Sequence, residues 1–257
     1  MTTDLHKLWW LHAGAAAAHA AQFGYGMGLV HSDANRASLR TALRKVTSQG
    51  VAQLFSTRIA EWAPWFSLLS TSNHVWSLAN WDQYTAQIIN KEHANLWRWN
   101  EYAVSASLMY FIIYQLSGGE DVDAAVLLVT TNVVMQYLGY LSEKTNDLGE
   151  ARRTNALGFV LFAAQWTVLM SSFFTSLDQA EDDLPAELYS IIFVMFAFFL
   201  MFGLLHTANI ESWCPCGAKG AAKYRKVEMG YVILSLTAKT FLLNMILFGS
   251  MRPEDTS

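Results

Sequence analysis

One lysine, Lys239, stands near the middle of the last strongly apolar stretch of the chain, MGYVILSLTAKTFLLNMILFGSM. An ammonium in hydrocarbon is costly, so an ionisable residue at that depth marks a functional site with a partner. Burial disfavours the charged form of an amine, and a neutral amine attacks an aldehyde to form a Schiff base. Condensed with a conjugated aldehyde, the nitrogen holds a proton and absorbs visible light. A lysine–carboxylate pair kept for packing, or an ion-coupling site in a transporter, would use the same residue differently.

A protonated nitrogen needs an anion. Within the apolar segments the best candidate is Glu101, at the start of the third one in LWRWNEYAVSASLMYFIIY. Ser105 follows it by four residues and Ser235 precedes Lys239 by four, so each hydroxyl shares a helix face with a charge. Either serine can instead bond back to a carbonyl of its own helix. The two cysteines, Cys214 and Cys216 in WCPCGAKG, are too few for a disulfide framework or a four-ligand zinc site. They read as reduced loop thiols, with palmitoylation as the sharper alternative, and no metal is expected.

The elements that must position these residues follow from hydropathy. Of 257 residues, 53% are hydrophobic and 15% charged, below the ~25% charged typical of soluble domains, and the charges fall between apolar runs. Those runs are Trp9 to Val30, Ala63 to Ala79, Tyr102 to Leu116, Val122 to Leu141, Ala156 to Phe174, Leu188 to Leu205 and Met229 to Met251. They predict an all-α membrane protein, a seven-transmembrane-helix bundle forming a single domain over residues 1–257. The second run is the weakest, because Ser70, Thr71, Ser72, Asn73 and His74 interrupt it; it needs neighbours that satisfy those groups. The N-terminus MTTDLHKLWW lacks the pattern of a cleavable signal peptide. A first loop of about residues 31–60, with Arg36, Arg40, Arg44, Lys45 and Arg58, is too polar to cross and too long for a turn, so it is structured or lies on the surface.

Lys and Arg placement sets an orientation. Ten of them, Lys7, Lys91, Arg98, Lys144, Arg152, Arg153, Lys219, Lys223, Arg225 and Lys226, fall on the side of the N-terminus, against six on the other. The third and fifth loops have none. The positive-inside rule therefore predicts a cytoplasmic N-terminus and an extracellular C-terminus, with the basic first loop as the contrary signal.

With these residues in hand, the chain resembles the heliorhodopsins, retinal-binding seven-helix proteins distinct from the pump rhodopsins. The resemblance rests on RWNEYAVSAS in the third helix and YVILSLTAK in the last. It extends to TTNVVMQYLGYLSEKTN, to SIIFVMFAFFLMFGLLH, to His74 and to HAAQ in the first helix. It implies a rhodopsin-like fold of inverted topology, with all-trans retinal on Lys239, Glu101 as counterion, and Ser105 and Ser235 bonding near the Schiff base. It also implies that His19, Gln22 and His74 form a polar, water-containing network. Tyr102, Asn132, Met135 and Gly139 match positions lining the chromophore, with Trp166 as a companion. His206 departs from the pattern, standing where glutamine is familiar, and the first loop differs too.

The implied activity is light sensing with a slow photocycle by a multi-pass protein of the cell membrane, a photoreceptor and not an enzyme. Its partners would be retinal, the lipid bilayer, a second copy in a homodimer and an unidentified cytoplasmic signalling protein, with no nucleic acid. Downstream of Glu101, Ala103 to Leu116 offers only Tyr110 and Tyr114 as ionisable groups, which disfavours pumping. A light-gated proton or cation channel is the second reading; Glu187 at the edge of the sixth run would supply an acidic vestibule. A retinal-free transporter is the third. Lys239 is the only lysine in the apolar runs, so Lys239→Ala should form no covalent pigment and borohydride should trap no retinal on it. A persistent visible band in that variant would contradict the assignment.

Overall fold

The computed structural model describes residues 3–32, 40–48, 50–180, 184–211 and 220–249. Cys214, Cys216 and the chain after Gly249 lie outside the described residues. Seven long helices are present among those described: α1 (Thr3–Ser32), α2 (Ile59–Ala79), α4 (Leu96–Leu116), α5 (Val122–Lys144), α6 (Leu148–Gln179), α7 (Ala186–Ile210) and α8 (Gly220–Asn244). A short α3 (Trp81–Gln83) runs into a π-helical segment, Tyr84–Glu92, and α8 continues as π-helix over Met245–Gly249. Strands β1 (Arg40–Thr47) and β2 (Gly50–Arg58) form an antiparallel hairpin.

Side chains fix several helix starts. Asn95 accepts from the Arg98 amide, Asp121 from the Ala124 amide, and Asp147 from the amides of Gly149 and Glu150, each satisfying donors that the first turn leaves free. Helices α5, α6, α7 and α8 extended to Gly249 are long and apolar enough to cross a membrane by length and composition. The other three carry polar groups inward. In α2, Ser67, Ser70, His74 and Ser77 are all buried, and Ser77 and Thr71 bond back to carbonyls four residues earlier. The interrupted second run is therefore an unbroken helix, because its polar atoms find partners within the bundle.

Two connections have more structure than hydropathy reveals. The first loop is the β-hairpin, tied by backbone and side chain to the α4–α5 connection. The Arg44 amide donates to the Glu120 carbonyl at 2.7 Å, Arg44 pairs with Glu120 and Lys45 with Asp123, and the buried Gln115 amide donates to Thr57 Oγ1 at 2.7 Å. The connection after α2 is the Tyr84–Glu92 segment, whose Tyr84, Ile88 and Ile89 pack with Leu8 and Tyr224. It ends at His93, which turns left-handed at φ 51°. Helix α4 begins at Leu96, six residues before the apolar run does, so Glu101 stands in its second turn.

The main core gathers Phe66, Tyr110, Ile113, Leu169, Phe173, Ile192, Leu242 and Ile246 from five helices, α2, α4, α6, α7 and α8 with its π-helical continuation. Helices α1 and α2 approach closely where Gly26 faces Pro64: a Cβ on Gly26 would meet Pro64 Cγ at 2.9 Å. Gly26→Val should consequently force the two helices apart at a cost of about 1–3 kcal/mol, read as a lowered thermal midpoint in detergent. An unchanged midpoint would show that this contact is not limiting.

Candidate functional site

Lys239 and Glu101 meet at the centre of the bundle. Both are buried, at 3% and 9% exposure, and Lys239 Nζ donates to Glu101 Oε1 at 2.6 Å. Ser70 joins them: its hydroxyl donates to Glu101 Oε1 at 2.8 Å and accepts from Lys239 Nζ. An isolated buried charge would be prohibitive, whereas a paired and hydrogen-bonded one is tolerable. The sequence reading named Ser70 only as a polar interruption of α2. The expected serines, Ser105 and Ser235, line the cavity next to Lys239, and their buried hydroxyls carry no hydrogen bond.

That cavity lies between α4, α5, α6, α7 and α8, an interhelical position common for small-molecule sites. Its walls are mostly aromatic and aliphatic. Of the expected lining residues, Tyr102, Met135 and Gly139 face it. Gly139 has a steric reason, since a Cβ there would strike the Trp99 indole. The structure sets Asn132 and Trp166 one layer back. Asn132 donates to Ser107 and accepts from Gln136, which does line the cavity. The Trp166 ring packs on Phe162 and Phe199 of the wall. An apolar pocket that presents the Lys239 amine, paired to Glu101, and the unpaired hydroxyls of Ser105 and Ser235 fits a hydrocarbon aldehyde.

The proposed histidine network is contiguous. His19 Nδ1 bonds Gln22 Oε1 at 3.0 Å, and Gln22 donates to Thr240, the residue after Lys239. The His19 and His74 rings stack at 5.8 Å. His74 bonds His12 at 2.9 Å, and His12 in turn bonds Tyr84. His12, absent from the sequence expectations, is therefore a full member. Its signal was its sevenfold spacing from His19, two helical turns along one face.

A second charged layer lies toward the end of the bundle where α1, α4 and α8 begin. Arg98, 3% exposed, pairs with Glu143 at 2.6 Å and with Glu228. Trp99 and Asn209 also donate to Glu143, and Tyr84 and Asn95 to Glu228. A small polar cavity bordered by His74, Arg98, Glu101, Glu228 and Tyr231 joins this layer to the Lys239–Glu101 pair. Among the described residues no cluster has the make-up of a metal site.

Breaking such a buried set differs in kind from breaking a surface pair. Removing Arg98 as Arg98→Gln leaves two carboxylates facing each other in the interior, an expected loss of about 3–5 kcal/mol. The exposed Arg152–Glu211 pair, screened by solvent, should lose far less in Arg152→Ala. Thermal unfolding of both variants beside the parent measures the contrast, and equal losses would refute it.

The fold recurs in solved microbial rhodopsins. A thermophilic rhodopsin superposes with a TM-score of 0.70 at 14% identity, covering 96% of this chain and 94% of its own. The transmembrane domain of the Salpingoeca rosetta rhodopsin phosphodiesterase gives 0.68 at 12%, covering 94% and 83%. Xanthorhodopsin, a light-driven ion pump with a dual chromophore, gives 0.68 at 11%, covering 96% and 94%. At such identities these likenesses speak for the fold alone. No curated protein sequence matches the chain. The sequence model of the Heliorhodopsin family matches residues 14–251, nearly the whole chain including Lys239, Glu101 and every cavity residue, and the protein, an integral membrane protein of several spans, therefore belongs to the heliorhodopsins.

Proposed function

We propose that this heliorhodopsin is a light sensor that binds all-trans retinal covalently through Lys239 Nζ, with Glu101 as the counterion, and that it does not pump ions. The observation that carries the reading is the buried 2.6 Å contact between Lys239 Nζ and Glu101 Oε1, with Lys239 lining a mostly apolar cavity. Retinal, when bound, supplies the visible absorption and a light-driven change of shape.

This chain's residues supply the rest. Glu101 and Ser70 hold the proton on Lys239 Nζ in the dark. Tyr102, Met135 and the phenylalanines of α7 exclude water and fix the long axis of the ligand. Once light disturbs the Lys239–Glu101 geometry, the proton leaves Nζ for the polar network of His19, His74 and His12. Redistributed charge then shifts the helices, a local electrostatic change with a global readout. The lack of a second carboxylate in α4 beyond Glu101 favours sensing over pumping. A cytoplasmic N-terminus rests on the Lys and Arg count, ten on that side against six on the other. A homodimer and a cytoplasmic signalling partner follow the family expectation.

The colour of Glu101→Gln tests this. Positive charge sits near Nζ in the dark state and moves along the polyene on excitation, so a carboxylate at Nζ stabilises the dark state more. At 2.6 Å and an effective dielectric near 20, the pair is worth roughly 6 kcal/mol, ample to move an absorption band. The variant should absorb at longer wavelength than the parent, while the parent under voltage clamp should give no photocurrent. An unshifted band would assign the counterion elsewhere, and currents that reverse with driving force would favour a channel.

A further inference from the structure

His206 of α7 is buried, lines the large cavity and has no part in the network around His19 and His74. With the Ser142 hydroxyl hydrogen given to the Gly139 carbonyl at 2.8 Å, the ring is the donor in the 2.6 Å contact between Ser142 Oγ and His206 Nε2. Nδ1 of the neutral ring is then bare and accepts from the Tyr231 hydroxyl at 3.2 Å. The same Nδ1 lies 3.8 Å from Glu143 Oε1.

The charged and titratable groups around it come from three helices. Helix α4 presents Arg98, α5 presents Glu143, and α8 presents Tyr231 with Glu228 behind it; α6 adds only the neutral Thr154 and Asn155 to the shared cavity. One guanidinium thus faces two buried carboxylates. Glu143 Oε1 is the carboxylate oxygen placed to pair with a proton on Nδ1. Trp99 packs edge-on to the imidazole at 5.1 Å, holding it in place. Tyr231 borders both this cavity and the polar one that reaches Glu101.

We propose that His206 is a second proton-accepting site for the light-driven proton, apart from the network of His19 and His74. The proposal rests on the photoreceptor reading above. A proton given up at Lys239 Nζ and not held by the His19, His74 and His12 network arrives at His206 Nδ1, the Tyr231 hydroxyl hydrogen turns away, and Nε2–H keeps its bond to Ser142. One positive charge is thereby moved from beside Glu101 to beside Glu143, and the return transfer restores the dark state. Glutamine at this position would make the same neutral contacts and hold no proton.

The test has a dark and a light arm. In the dark, with or without retinal, nitrogen NMR of histidine-labelled protein should contain one neutral Nε2–H ring whose signals vanish in His206→Gln and in His206→Asn. The opposite tautomer, or an imidazolium in the dark, would overturn the proposal without touching the photoreceptor reading. In the light arm, infrared difference spectra should gain imidazolium bands that vanish in both variants and persist when His19 or His74 is replaced. Decay of the deprotonated pigment should change by about tenfold or more in both. Bands and decay unchanged in both pigmented variants would overturn the proposal alone, whereas a parent that forms no pigment would overturn the photoreceptor reading with it.

Discussion

A single ion pair in a water-poor interior, Lys239 with Glu101, constrains much of the rest of this protein. Neither charge is tolerable alone in such a place. Together they require geometry good enough to offset two desolvation penalties, and the bundle is arranged to provide it. Ser70 reaches from α2 to bond both partners, which explains why an otherwise apolar span carries a polar stripe. Those hydroxyls are of use only where α2 packs against α4 and α8.

The Arg98 layer extends the same logic toward one end of the bundle. Its guanidinium sits over the Tyr231 ring at 3.9 Å and meets two carboxylates whose remaining lone pairs are taken up by Trp99, Asn209, Tyr84 and Asn95. A half-satisfied polar network in a low-dielectric interior is worse than none. The dense donor set therefore reads as a requirement of burying Arg98, and it makes this layer rigid. The Lys239 site differs: the unpaired hydroxyls of Ser105 and Ser235 and the free nitrogen of His19 leave it room to rearrange. Rigid electrostatics at one end and adaptable groups in the middle suit a device in which one proton changes place.

Much of this was legible in the sequence. Lys239 and Glu101 stood out because an ionisable residue in an apolar run is expensive, the helical membrane bundle followed from hydropathy, and its rhodopsin-like character came from the family resemblance. The misses have physical causes. Ser70 looked like a defect of α2, since its value depends on a neighbour 31 positions away in the chain. The Tyr84–Glu92 segment has too few apolar residues for a periodicity signal, yet Tyr84 and Ile89 are fully buried because α1 and α8 roof them. The hairpin could be expected only as something structured, its pairing being set by the α4–α5 connection. Asn132 and Trp166 sat at the right positions in the chain but one packing layer behind the wall, a distinction that sequence position does not encode. His206 was visible as a departure, and only its partners Ser142, Tyr231 and Glu143 reveal what that departure does.

The most direct test of the central claim is an absorption titration of the purified parent protein with all-trans retinal in the dark. The buried lysine–carboxylate pair predicts a visible band, well to the red of free retinal, that grows to one equivalent and then stops. Retinal that keeps its free near-ultraviolet spectrum at every ratio would contradict the account, leaving Lys239 and Glu101 as a packing pair.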